Sequence, residues 1–93
     1  MKSEIQIDLV STEEIASQIF FVLQCTVLNG AVQKGQTMTL PFSSGVDMTI
    51  PVDEVENAVD QPGKIRVKVL CEDLSDVEFL RGLNLEGDVL AVY

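Results

Sequence analysis

The sequence predicts an all-β fold: a small closed β-barrel of six to seven mainly antiparallel strands, with one or two single-turn helices. Three observations predict it. Apolar and polar residues alternate with period two through most of the chain, as half-buried strands require. Turn residues recur at roughly eight to twelve positions, the spacing of small all-β domains. Residues 27–40, VLNGAVQKGQTMTL, read as strand, tight turn, strand with a glycine at each bend, and GDVLAV over residues 87–92 supplies a closing strand.

The first strand is read at residues 4–10, with Ile5, Ile7 and Leu9 on one face and Glu4, Gln6 and Asp8 on the other. Ser11-Thr12-Glu13-Glu14 then fits a capping box, in which the serine hydroxyl and the glutamate three residues on satisfy each other's backbone N–H groups. That pattern predicts a turn of helix to about residue 17. Residues 19–28 form a long apolar strand with Ile19, Phe21, Leu23, Cys25 and Val27 inward; Phe20, Val22 and Leu28 on the reverse face suggest cover on both sides. Asn29-Gly30 is the strongest short hairpin signal in the chain, since both residues tolerate positive φ.

Lys34-Gly35 makes a second bend before residues 36–40, where Met38 and Leu40 face inward. Residues 41–45 read as a turn, and Val46, Met48 and Ile50 as the next inward face. Pro51 lacks a ladder donor, so the chain there must bend, bulge or lie at an edge. Residues 52–56 continue the strand, and residues 57–63 form a loop ending in Pro62-Gly63. The alternation is cleanest over 64–71: Ile65, Val67, Val69 and Cys71 point in, and Lys64, Arg66 and Lys68 point out. A short helix follows, with Ser75 as N-cap, Glu78 as its capping-box partner, Leu74 and Phe79 as a hydrophobic staple, and Gly82 as the stop. Residues 88–92 are the last strand.

Composition narrows the function classes. Ninety-three residues suffice for one domain with one core (residues 1–93), and four Phe, one Tyr and no Trp make that core aliphatic. Fifteen acidic against six basic residues give a net charge of −9. That balance argues against a dedicated nucleic-acid binder, whose affinity comes from cations on phosphates. It equally disfavours anionic membranes. No secretory signal or membrane-span run is present in the sequence, so a cytoplasmic location is expected, with Cys25 and Cys71 reduced.

The order of the turns also resembles a known family. Val27-x-x-Gly30-x-Val32-x-x-Gly35-x-x-Met38, the Pro62-Gly63 turn leading into Ile65-x-Val67-x-Val69, and Gly87-Asp88-Val89-Leu90 resemble the signature of domain 2 of elongation factor Tu and related translation GTPases. The likeness covers nearly the whole chain. It implies a barrel whose turns are set by Gly30, Gly35, Gly63 and Gly87, and, since the family barrel helps hold the aminoacyl end of tRNA in some members, a translation- or RNA-associated role. The sequence departs from the family in having no G-x-x-x-x-G-K-[ST] loop and a longer connection over 72–86. The expectation is a stand-alone barrel without the GTPase domain.

Little chemistry is visible. There is no histidine, the commonest general base and zinc ligand. Asp53, Glu54, Glu56 and Asp60 lack the spacing and central glycine of a calcium loop, and read as a solvated loop. Glu72, Asp73, Asp76 and Glu78 cluster where anions stabilise a helix N-terminus. Lys64, Arg66 and Lys68 hold half of the positive charge on one strand face, either balancing nearby acids or forming a small anion- or partner-binding strip. No cofactor, no metal and no enzymatic activity are expected. The expected role is a binding or adaptor module for a protein partner, with weak RNA contact as the alternative, no membrane contact, and a homodimer if an exposed edge pairs with its own copy.

Overall fold

A long hairpin organises the sheet. In the computed structural model, which describes residues 2–43, 46–57 and 60–93, β1 (Ser3–Ile15) and β2 (Gln18–Asn29) pair antiparallel from Glu4↔Asn29 to Ile15↔Gln18. Ser11-Thr12-Glu13-Glu14 therefore lies within β1 and is not a helix start. The chain reverses at Ala16 and Ser17, both at positive φ (50° and 69°), as a two-residue hairpin turn with the twist of the strands demands. The capping-box pattern is outweighed because each residue of this segment has a partner on β2.

The strand alternation holds only as far as Ile7. A bulge places Asp8 between the pairs Ile7↔Cys25 and Leu9↔Gln24, so the faces exchange. Val10 then packs on the core, whereas Leu9, expected inward, is exposed.

The remaining strands are β3 (Thr37–Ser43), β4 (Val46–Pro51), β5 (Glu54–Asn57), β6 (Lys64–Cys71) and β7 (Val89–Val92), with helix α1 (Leu74–Arg81) between β6 and β7. All neighbours pair antiparallel, and the sheet order is β4-β3-β7-β1-β2-β6-β5. Among the described residues the fold is all-β, with 60% in strands, one seven-stranded sheet and one helix. No β4–β5 ladder closes the sheet among the described residues. The two edge strands are instead successive in the chain, separated by Val52 and Asp53. The Val52 N–H donates to the Gln36 carbonyl on the β3 side, and the Asp53 N–H donates to the Lys68 carbonyl on β6. Ile5, Ile7, Phe21, Leu23, Met38, Leu40, Ile50, Val67, Leu90 and Val92 meet in one apolar cluster, so the inner faces of strands across the sheet share a single core.

Four local assignments change. Asn29-Gly30 does not close a hairpin, because β2 and β3 are not neighbours and residues 30–36 form a connecting loop. Gly30 (φ 76°) is required by a contact: a Cβ there would collide with the Oγ of Ser3, a buried residue whose hydroxyl donates to the Ala31 carbonyl (2.7 Å) and accepts from the Ala31 N–H (3.1 Å). Pro41, read as part of a turn, pairs with Asp47 in a strand that continues to Ser43, while Gly45 lies outside the described residues. Val46, expected inward, is exposed at the start of β4. The N-cap of α1 is Asp73 rather than Ser75: its Oδ1 accepts from the N–H groups of Ser75 (2.9 Å) and Asp76 (3.3 Å). Asp73 wins because an ionised acceptor bonds those N–H groups more strongly than a hydroxyl would, and its carboxyl is held below its usual range, first by the Ser75 side chain.

Gly30→Ala is expected to destabilise the protein by at least about 2 kcal/mol, since it combines left-handed strain with the Ser3 collision. Gly35→Ala, at φ 94° but facing open space, should cost only about 1 kcal/mol. Urea unfolding of the two variants checks the difference; equal losses would show that the Ser3 contact contributes nothing.

Candidate functional sites

Period-two alternation puts the strip of Lys64, Arg66 and Lys68 on the outer pleat face of β6. It is not free charge. β6 lies between β2 and β5, and both flanking regions present carboxylates to it. Lys64 Nζ donates to Thr26 Oγ1 (2.6 Å) and to Asp8 Oδ2 (3.2 Å), and the Thr26 hydroxyl donates to the same Asp8 oxygen (2.7 Å). Arg66 donates to Glu13 (2.7 Å) and Glu56 (3.0 Å), and Lys68 donates to the other oxygens of the same two acids (2.6 and 3.1 Å).

Glu13, Arg66, Lys68 and Glu56 thus form a closed ring of ion pairs. Glu13 reaches it from β1 by crossing above β2, and its alignment on that path follows from the strand conformation of residues 11–15. Beneath the ring, at the register Ser11–Val22–Lys68, the outward-facing Val22 has no exposed surface. The expected cover on the reverse face of β2 is present over Val22, where the ionic layer and the lysine stem lie above it, and absent over Leu28, which is exposed. The Lys68 side chain is only 5% exposed. Its pKa is raised, first by the bond to Glu13, and the Glu13 carboxyl is lowered below its usual range, first by Lys68 and then by Arg66. Asp8 is also lowered, chiefly by the Thr26 hydroxyl. A phosphate arriving at this strip would have to displace carboxylates already bound to each cation.

The second feature was not legible in the sequence. β5 covers β6 only as far as the pair Glu54↔Lys68, so residues 69–71 run on beyond it. The opened ladder is partly capped, since the Leu70 N–H donates to the Asp53 carboxylate (2.7 Å). Across the opening lies β4, which is paired on its other side with β3. Helix α1 sits over the gap and buries Val77 and Leu80 in the core. What remains is an apolar cleft of about 190 Å³ between β4, β6 and α1, lined by Met48, Ile50, Pro51, Val69, Leu70 and Phe79, with Asp76 at its side. Leu70 and Phe79 are 43% and 42% exposed. A cleft this size is below the roughly 300–1,000 Å³ of small-molecule sites, and matches a single large apolar side chain.

The cysteines are not a site. Cys25 pairs with Ile65 and Cys71 with Ile19, six residues apart along the β2–β6 ladder. That separation is about 20 Å at strand rise, far beyond the roughly 7 Å that a disulfide can span. Both are free and buried. Burial pushes the Cys25 thiol up to about 12, with the Asp8 charge acting in the same direction, and burial also raises Cys71. No group of three or more potential metal-ligating side chains is found among the described residues. None of the described helices is long and apolar enough to cross a membrane. Comparison with known proteins finds no matching family model, no matching curated protein and no matching solved structure.

The ionic ring predicts a pH signature. Because the folded pKa of Glu13 is depressed, its contribution is fully present above the unfolded value, near 4.5, and is lost as pH falls through the folded value. Glu13→Gln should therefore lower the urea midpoint at pH 7, and its difference from the unmodified protein should shrink steadily below pH ~4.5. A difference independent of pH would overturn this assignment. For the thiols, Ellman's reagent at pH 8 should find neither cysteine reactive within minutes in the native protein and both reactive in denaturant.

Proposed function

We propose that this chain is a barrel-type binding module that acts on a protein partner, as an adaptor rather than an enzyme. The observation that carries the reading is the apolar cleft at the sheet opening, where Leu70 and Phe79 stay substantially exposed beside the buried core. Exposed apolar surface within a concave, acid-edged setting is characteristic of protein-contact sites. The barrel part of the proposal is supported by the two-residue passage between sheet edges and by the single shared core. The turn chemistry behind the likeness to the elongation-factor barrel is supported by Gly30, Gly35, Gly63 and Gly87, all at positive φ. The widely separated free thiols suit a reducing, cytoplasmic setting.

The RNA-associated alternative rests on Lys64, Arg66 and Lys68. It is weakened by the pairing of all three with Asp8, Glu13 and Glu56, which leaves few cations for counterion release.

Affinity capture with the tagged full chain from host lysate, with and without nuclease, tests the choice. The expected result is a discrete protein partner retained after nuclease. Loss of everything captured on nuclease treatment, together with a low-salt tRNA gel shift abolished by replacing Lys64, Arg66 and Lys68 with glutamine, would transfer the proposal to RNA.

A further inference from the structure

The cleft also constrains the chemistry of its occupant. Its walls are apolar, it holds the volume of one large side chain, and acids outnumber cations around it, Arg81 in the last turn of α1 being the cation on that helix. Asp76 lies in the lining itself, Asp53 is fixed to the Leu70 N–H at the open ladder end, and Glu72 and Asp73 begin the helix that forms one wall. The Asp73 carboxylate accepts from the Ser75 N–H and hydroxyl, and the Asp76 carboxylate accepts from the Glu72 N–H. Lys68, the nearest cation on β6, is engaged by Glu13 and Glu56 on the outer face. The chain as a whole carries a net charge of −9.

We infer that the cleft between β4, β6 and α1 receives one apolar anchor side chain of a partner segment whose flanking residues are lysine or arginine. This deepens the adaptor reading and rests on it. The apolar anchor supplies affinity by leaving water, as isolated pocketed side chains do at protein interfaces. The flanking cations supply steering and orientation against the acidic rim. A basic sequence without the anchor meets only exposed carboxylates, and an acidic sequence bearing the anchor is repelled. Met48 in the wall gives the pocket some tolerance for anchor shape, because an unbranched thioether repacks readily.

The test uses the full chain and short dye-labelled peptides with a central Phe or Leu, read by fluorescence anisotropy at low salt. Lysine-flanked peptides should bind. Replacing the anchor by Ala, or the flanking lysines by Glu, should weaken binding at least about fivefold. Phe79→Ala, and separately Leu70→Thr, should weaken the lysine-flanked peptide by a similar factor, and Asp76→Asn should reduce the salt dependence while preserving the acceptor for the Glu72 N–H. Amide resonances of Met48, Leu70 and Phe79 should shift on titration, and unchanged circular dichroism of the variants separates loss of binding from loss of fold. The inference is overturned if acidic and basic peptides bind alike, if no peptide binds, or if the cleft substitutions leave binding unchanged. A nuclease-resistant partner captured equally well by the Phe79→Ala and Leu70→Thr proteins would overturn the cleft assignment while leaving the adaptor reading standing. Absence of any captured protein together with silent peptides would remove both.

Discussion

Val52 and Asp53 carry the chain from one edge of the sheet to the other, and most of the architecture follows from how these two residues are held. Val52 is buried; its N–H donates to Gln36, and its carbonyl accepts from Gly35 at 3.0 Å. Asp53 turns to the other edge, where its N–H bonds the Lys68 carbonyl and its carboxylate bonds the Leu70 N–H. Adjacent residues anchored to opposite edges oblige the intervening five strands to curl around one core. Pro51, on the edge strand β4 and opposite Thr37, immediately precedes this passage, with no N–H to leave unsatisfied there. The same geometry explains the opening: β5 begins only after the passage, so the end of β6, still paired with β2, has no strand on its other side and the cleft forms there.

The outer face obeys a different constraint. A sheet that curls around its core must still shield the apolar residues on its convex side, and Val22 has no neighbouring layer to do so. The ring of Glu13, Arg66, Lys68 and Glu56 takes that role, linking β1, β6 and β5 across β2. Isolated surface ion pairs contribute little, but a closed network in which each cation binds two acids has better-defined geometry than its separate pairs. Its consequence for function is negative charge elsewhere. Lys64, Arg66 and Lys68 are committed to local acids and Lys34 pairs with Glu54, so surplus carboxylates near α1 and Asp53 dominate the charge around the cleft.

Much of the fold was legible because local chemistry and tertiary pairing agreed. Residues 64–69 alternate cleanly, and β6 spans Lys64–Cys71 with every expected inward residue buried and only the apolar Leu70 out of pattern. The glycine turns have the positive φ that their residue type suggested. Legibility failed where two local readings competed. Ser11-Thr12-Glu13-Glu14 satisfies the pattern of a helix start and carries no apolar alternation, so only the pairing with β2, with Gln18 opposite Ile15, makes it strand. Leu9 reads as inward until the bulge at Asp8 is known. Asn29-Gly30 is a strong hairpin signal whose glycine serves instead to let the loop pass Ser3. The basic strip was found by periodicity, but its neutralisation was not, since Asp8, Glu13 and Glu56 lie far away in sequence.

By itself the sequence determined the class of structure, the strand carrying the three cations, the buried state of both cysteines and the acidity of the surface. These follow from side-chain period, turn residues and composition, which act over a few residues or over the whole chain at once. Tertiary structure alone decided the strand order, the crossing of Glu13 above β2, the separation of Cys25 from Cys71 and the cleft beside α1. Each of those depends on which distant segments lie side by side, and strand pairing is selected by the joint burial of the whole sheet rather than by any one segment's pattern.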